Sequence, residues 1–164
     1  MAFDIFFAPV PGLPFDGDAV QRLLDADAAR SHLGATVVTT RDGGADIYGP
    51  PDPDSWLMVN HAEGSDVWEL MYQMAAAGPY QVMPIGCETF VTAADHLGLV
   101  PDEAQRPIVL VACGAEMQAL VGGLLPQPAI VLADARSAFE RFAVATGEQL
   151  DIIGPVAVCS LMTS

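Results

Sequence analysis

The chain has 164 residues, of which 52% are hydrophobic and 16% charged, and this composition is typical of a folded globular protein. It carries 21 acidic residues against 6 basic ones, all arginine, so its net charge is −15. Such a balance excludes partners that are bound through phosphates, because nucleic acid and anionic lipid require Lys and Arg. We therefore expect no nucleic-acid or membrane partner, and we expect a basic protein partner.

The acidity has a second interpretation, which is that it serves solubility alone. No apolar run approaches the roughly 18–20 residues of a membrane span. The N-terminal stretch contains Asp4 and no basic residue, which is unlike a signal peptide. The three cysteines, Cys87, Cys113 and Cys159, are widely spaced and are expected to be reduced thiols rather than zinc ligands. These features favour a cytoplasmic protein without a metal or other cofactor.

The predicted elements begin with a strand over residues 3–8 and a helix from about Asp18, which breaks near residues 25–28. Residues 35–49 predict a β-hairpin, and prolines at 50, 51 and 53 then form an extended connector. Four aspartates of this region lack the spacing of a calcium-binding loop, so we expect them to be solvated turn residues. They are Asp42, Asp46, Asp52 and Asp54.

Residues 55–90 predict a strand, a helix and a returning strand, and they form the best-specified unit of the chain. Ser65 is the expected N-cap of the helix, and an apolar stripe follows at helical spacing. Trp68 and Tyr72 lie at the border of this stripe. They either pack at the margin of the core or form an aromatic patch on a protein interface.

In the last third, the pattern predicts a short helix from about Thr92, a strand over residues 108–112 and a helix to about Leu124. A strand over residues 129–133, a helix from Ser137 and a strand over residues 152–159 are predicted to follow. We therefore predict a single globular domain over residues 1–164. Its predicted class is α+β, with a mixed β-sheet of about six to eight strands and about four or five helices packed on it.

Three segments together resemble a known family: Met1-Ala-Phe-Asp-Ile-Phe, Gly44-Ala-Asp-Ile-Tyr, and Met58-Val-Asn-His61 followed by a glycine and a central helix. The family is one of small bacterial proteins of unassigned function, which open with a Phe-Asp-Ile-Phe strand and carry an Asn-His-x-x-Gly stretch before that helix. Its members look like the single-domain immunity proteins of bacterial toxin systems. The resemblance therefore implies a partner-binding role and supplies no catalytic residue.

A catalytic alternative rests on His61 and Cys87, which both follow predicted strands. Cys87 would act as the nucleophile, His61 as its base, and Glu88 would orient the imidazole, as in a small hydrolase or transferase. Against this, the charge of Glu88 raises the pKa of a neighbouring thiol. The other interpretation makes His61 a structural hydrogen-bonding residue and Cys87 an inert, buried thiol.

The sequence favours binding over catalysis, and specifically an immunity protein that neutralises a cationic bacterial toxin by occlusion. Of the 21 acidic residues, 12 lie in residues 1–69. A DNA-mimic inhibitor shares this acidity and stays open as a third possibility. The predicted partner surface combines carboxylates that attract the partner with aromatic anchors. Its residues are Asp42, Asp46, Asp52, Asp54, Trp56, Glu63, Asp66, Trp68, Glu69 and Tyr72.

Overall fold

The computed structural model describes residues 4–26, 30–32, 34–101, 104 and 107–123, with the backbone alone described for residues 30–32. Three of the predicted elements lie outside these residues. They are the strand over residues 129–133, the helix from Ser137 and the strand over residues 152–159.

The described residues contain eight strands: β1 (Ile5–Pro9), β2 (Arg30–His32), β3 (Ala35–Thr39), β4 (Gly44–Tyr48), β5 (Leu57–Glu63), β6 (Tyr80–Pro84), β7 (Thr89–Val91) and β8 (Ile108–Leu110). They form one sheet in the order β2-β3-β4-β5-β1-β6-β7-β8. All neighbouring pairs are antiparallel except β7 and β8, which are parallel. The predicted α+β class with a mixed sheet is confirmed.

Three α-helices are present in the described part of the chain: α1 (Gly17–Ala26), α2 (Ser65–Ala77) and α3 (Gly114–Val121). This is fewer than the four or five predicted, and the short helix expected from Thr92 is only a single 3₁₀ turn at Ala94–His96. α1 ends at Ala26, within the range where the helix is predicted to break, and residues 30–32 form strand β2 and not a second piece of helix. None of these helices is both long enough and apolar enough to cross a bilayer.

The main core forms between one face of the sheet and the helices. Ile5, Phe7 and Val59 point from β1 and β5 toward Met71 and Met74 of α2, and all five are at most 1% exposed. Burying a side chain of this size contributes about 1.5–3 kcal/mol relative to leaving it in water. The packing of these side chains therefore fixes α2 across the middle of the sheet.

The opposite face of the sheet carries a second apolar row. Directly opposed residues of antiparallel strands point to the same face. Phe6 of β1 is opposed by Met58 of β5 and by Met83 of β6, and Met58 is opposed in turn by Tyr48 of β4. Phe6, Met58 and Tyr48 are only partly buried, so this face is apolar yet accessible in part.

Helices α2 and α3 approach each other closely at Gly114, the first residue of α3. A Cβ atom built on Gly114 would overlap the backbone of Trp68 and Glu69 in α2. Backbone atoms cannot move aside as a flexible side chain can. Gly114 therefore sets how near the two helices can lie.

We expect Gly114→Ala to destabilise the fold by about 1–3 kcal/mol, because the added methyl group must push α3 away from α2. Chemical denaturation followed by far-UV circular dichroism measures this free energy of unfolding. Gly98→Ala is the matched control, since no atom lies within 4 Å of a Cβ built there. It should stay within about 0.5 kcal/mol of the wild type. Equal losses in the two variants would contradict the close approach.

Candidate functional site

The carboxylate of Asp42 holds the N-terminus of α2 from the tip of the β3–β4 hairpin. Its Oδ2 accepts the backbone N–H and the hydroxyl of Ser65, both at 2.7 Å, and its Oδ1 accepts the N–H of Asp66 at 3.2 Å. The N-cap residue itself is Gly64, which has no side chain to do this. The cap expected from Ser65 is therefore supplied by Asp42, 23 residues away from Ser65.

Two further acidic residues of the predicted partner surface also serve the fold. Glu69 of α2 accepts the N–H of Gly114 at 3.0 Å, so it caps the start of α3. Asp66 accepts a hydrogen bond from Arg41 at 3.0 Å on the protein surface. With Asp42, these residues place negative charge at helix N-termini, where the helix dipole is positive.

His61 forms a polar pair with Asp46 at the edge of a β-bulge. The register between β4 and β5 shifts between Gly44 and Asp46. His61 has a φ of 54°, which is unusual for a residue other than glycine. Its Nδ1 lies 3.0 Å from Oδ2 of Asp46, and its side chain is 62% exposed. This geometry supports the structural interpretation of His61, with Asp46 holding the ring over the bulge.

Cys87 is not brought together with His61. The sequence interpretation placed them on neighbouring strands, but β1 lies between β5 and β6. Two strand spacings separate the two strands by about 9–10 Å. The ring of His61 is also bonded toward β4, on the side of β5 away from β6. The prediction that His61 and Cys87 follow neighbouring strands and form a pair is therefore wrong.

The backbone at Cys87 forms a tight turn between β6 and β7. The N–H of Cys87 donates to the carbonyl of Pro84 at 3.1 Å, and Gly86 supplies the positive φ of 79° that the turn requires. The chain thus returns as strand β7 and does not enter a helix at this turn. Burial raises the pKa of Cys87, and the carboxylate of Glu88 raises it further. Both effects disfavour the thiolate that a nucleophile needs.

Among the other cysteines, Cys113 is buried and disulfide-bonded. The expectation that all three cysteines are reduced is therefore wrong. Cys87 is not disulfide-bonded. Within the ranges that the structure describes, no group of three or more His, Cys, Asp and Glu side chains is arranged to hold a metal ion.

The two aromatic residues of α2 do not form a surface patch. Trp68 is 4% exposed and belongs to the main core, so its use as a surface anchor is a wrong prediction. Tyr72 packs against the same core and is partly buried. Burial raises the pKa of its hydroxyl, and the charges of Glu69 and Glu116 raise it further. Tyr72 therefore belongs to the margin of the core.

Among the Phe, Tyr and Trp side chains that the structure describes, Trp56 is the most exposed, whereas the others are buried or half-buried. It is 61% exposed, and its ring packs edge-on against Phe6 with the centroids 6.3 Å apart. Asp52 and Asp54 precede it in the proline-rich connector and are exposed, as is Glu63 at the other end of β5. The Oδ1 of Asp52 accepts the N–H of Asp54 at 2.9 Å, which orders the connector.

Of the residues that surround Trp56, sequence reasoning selected only Asp54. A hollow of about 330 Å³ is lined by Trp56, Asp54, Pro53, Phe15 and the segment that follows β1. A second hollow, of about 360 Å³, is lined by Phe15 and Pro53 again, together with Asp16 and Asp18. The prolines were visible in the sequence, but only the fold brings the start of α1 beside them.

Comparison of the chain with protein-family models, with curated proteins and with solved structures finds no match.

We expect Asp42→Ala to lower the stability of the protein at neutral pH, because the first N–H groups of α2 lose their acceptor. The hydroxyl of Ser65 is the main cause that lowers the pKa of Asp42, and the N–H groups of Asp66 and Ser65 add to it. A carboxyl whose pKa is lowered by folding stabilises the protein fully above its unfolded pKa. That stabilisation is lost as the pH falls through the lowered value.

The stability difference between wild type and Asp42→Ala should therefore be constant near neutral pH and should shrink below about pH 4. Thermal unfolding across a pH series measures it. Asp54→Ala removes an exposed carboxylate with no helix to cap and should leave the melting temperature nearly unchanged at pH 7. If Asp42→Ala were as stable as Asp54→Ala at pH 7, the capping role would be refuted.

We expect iodoacetamide to alkylate Cys87 at neutral pH more slowly than it alkylates cysteine in an unstructured peptide, because the raised pKa leaves less thiolate. The rate should increase as the pH rises toward that pKa, and His61→Ala should not change it. Peptide mapping by mass spectrometry identifies the labelled thiol. Rapid labelling at neutral pH that His61→Ala abolishes would restore the catalytic pair.

Proposed function

We propose that this protein is an acidic protein-binding module, and specifically an immunity-type protein that neutralises a cationic toxin by occluding its working surface. The proposal joins two independent supports. One is the distribution of charge on the folded surface. The other is the resemblance of the Phe-Asp-Ile-Phe and Asn-His-x-x-Gly segments to a family whose members look like immunity proteins. The expected cytoplasmic location is part of the same proposal.

The charge distribution is the observation that carries the proposal. Between residues 42 and 105 the sequence has no Lys or Arg. Among the side chains that the structure describes, eight carboxylates are exposed, against the two arginines Arg22 and Arg41. The exposed carboxylates are Asp16, Asp18, Asp25, Asp42, Asp52, Asp54, Glu63 and Asp95. A surface of this kind attracts a basic partner over a long range and increases its association rate.

The carboxylates separate into two groups at opposite ends of the sheet. Asp42, Asp66 and Asp46 lie where β5 ends, and each is bonded within the protein. Asp52 and Asp54 lie where β5 begins, beside exposed Trp56, and Asp52 accepts one backbone N–H, from Asp54. Carboxylates that already accept strong internal bonds have less to offer to a partner. The second end is therefore the better candidate for direct contact, and the first contributes through its long-range field.

Occlusion needs no catalytic group on this protein. A toxin that acts on an anionic substrate presents Lys and Arg at its working surface, because those side chains bind phosphates. An acidic domain seated on the same surface would compete for these side chains and exclude the substrate by its bulk. The proposal therefore makes inhibition depend on binding alone.

The test begins with affinity capture from the native host, followed by purification of the captured protein. We expect a basic protein whose activity is lost upon stoichiometric addition of this domain. Calorimetry should give an affinity that falls about tenfold or more when NaCl is raised from about 0.05 M to about 0.3 M, because salt screens exposed charges. An unrelated acidic protein of similar size is the control and should not inhibit.

Two results would refute the proposal. One is a captured partner whose affinity does not depend on salt, since charge would then not direct the binding. The other is a partner that stays fully active in the complex, since occlusion would then not occur.

A further inference from the structure

The groove beside Trp56 has the features of a binding site for an extended chain. Its two hollows, of about 330 Å³ and about 360 Å³, share Phe15 and Pro53 as lining residues. They are therefore neighbours beside the proline-rich connector. We call this pair of hollows the connector groove; its lining residues range from Trp56 to the first turn of α1.

Proline residues and one valine form much of the walls of the connector groove. Pro9, Pro11 and Val10 line its Trp56 end, and Pro51 lines the end near α1. Proline has a fixed φ and loses little entropy when a partner binds. Phe15 is held by an edge-on contact with the buried ring of Tyr80, at a centroid distance of 5.2 Å. The site is thus largely formed before binding.

The charged residues that line the connector groove are all acidic. Asp54 stands at the Trp56 end, and Asp16 and Asp18 stand at the α1 end. None of the residues that line either hollow is Lys, Arg or His. An aromatic ring with carboxylates nearby attracts a guanidinium group, which stacks on the ring face and donates hydrogen bonds to the carboxylates. The aromatic ring and the carboxylates together therefore favour an arginine side chain over other basic groups.

We propose that the connector groove binds an extended, arginine-bearing segment of the protein partner, with one guanidinium stacked on Trp56 beside Asp54 and a second basic side chain near Asp16 and Asp18. This inference rests on the proposed function and gives it a location. It also assigns a role to Trp56 that differs from that of Trp68, although both tryptophans come from the same strand–helix unit. Arginine is the expected residue because lysine is a compact, strongly hydrated charge that stacks less well.

Fluorescence anisotropy with short labelled peptides tests the groove directly. The peptides alternate serine with arginine, with lysine or with glutamate. We expect the full-length protein to bind the arginine peptide more tightly than the lysine peptide and not to bind the glutamate peptide. Trp56→Ala should weaken binding of the arginine peptide by about tenfold, which is the size of a partly desolvated cation–π contact.

Charge-matched variants separate the groove from the general field of the protein. Asp16→Asn with Asp54→Asn removes two carboxylates of the groove, and Asp25→Asn with Asp95→Asn removes two exposed carboxylates elsewhere. Asp16 accepts the N–H of Ala19, and asparagine preserves that cap. Both double variants should melt like the wild type. Only the groove variant should lose affinity for the arginine peptide, by about fivefold or more.

Two outcomes overturn the inference. If the arginine peptide does not bind at low salt, the groove is not such a site. If it binds but Trp56→Ala and the two double variants all keep wild-type affinity, the binding follows net charge and not the groove. Neither outcome affects the captured toxin, whose salt-dependent inhibition decides the proposed function separately.

Discussion

The carboxylate of Asp42 connects the β3–β4 hairpin to the N-terminus of helix α2. It extends from the β3–β4 hairpin and accepts the first N–H groups of α2, the helix that crosses the middle of the sheet. These N–H groups have no acceptor within the helix itself. In the same way, the carboxylate of Glu69 in α2 accepts the N–H of the first residue of α3. Capping by distant carboxylates thus links hairpin, helix and helix, and part of the acidity of the chain serves the fold.

Because some of the carboxylates bond within the fold, they are less available to a partner than the others. Had all the exposed carboxylates been equivalent, the acidity would suggest a diffuse attraction with no preferred site. Instead, Asp42, Asp66 and Asp46 are bonded at one end of the sheet, whereas Trp56 and Asp54 lie exposed at the other. The register places this second end beyond Phe7 and Leu57, where β1 leaves the sheet and the proline-rich connector enters it. Anchoring contacts and long-range attraction are therefore supplied by different parts of the molecule.

Local patterns predicted much of the fold. The helical spacing of Val67, Leu70, Met71 and Met74 gave α2, and the turn chemistry after Thr40 gave the β3–β4 hairpin. The three-residue strand β7 could not be predicted, because its pairing with β6 and β8 and not its own periodicity makes it a strand. Trp68 stands at the edge of the apolar stripe, and its burial in the main core follows from tertiary packing that helical spacing does not show. Long-range bonds, such as those of Asp42, leave no signal at fixed sequence spacing.

Hydrogen–deuterium exchange of the protein with and without the arginine peptide is the most direct test of the central claim. It reports where binding slows amide exchange without any change to the sequence. The account predicts slower exchange in residues 52–58 and 9–19, around the connector groove, and unchanged exchange in residues 40–43 and 64–67, around Asp42. Protection confined to the Asp42 end, with residues 52–58 unaffected, would contradict the division between structural and binding carboxylates.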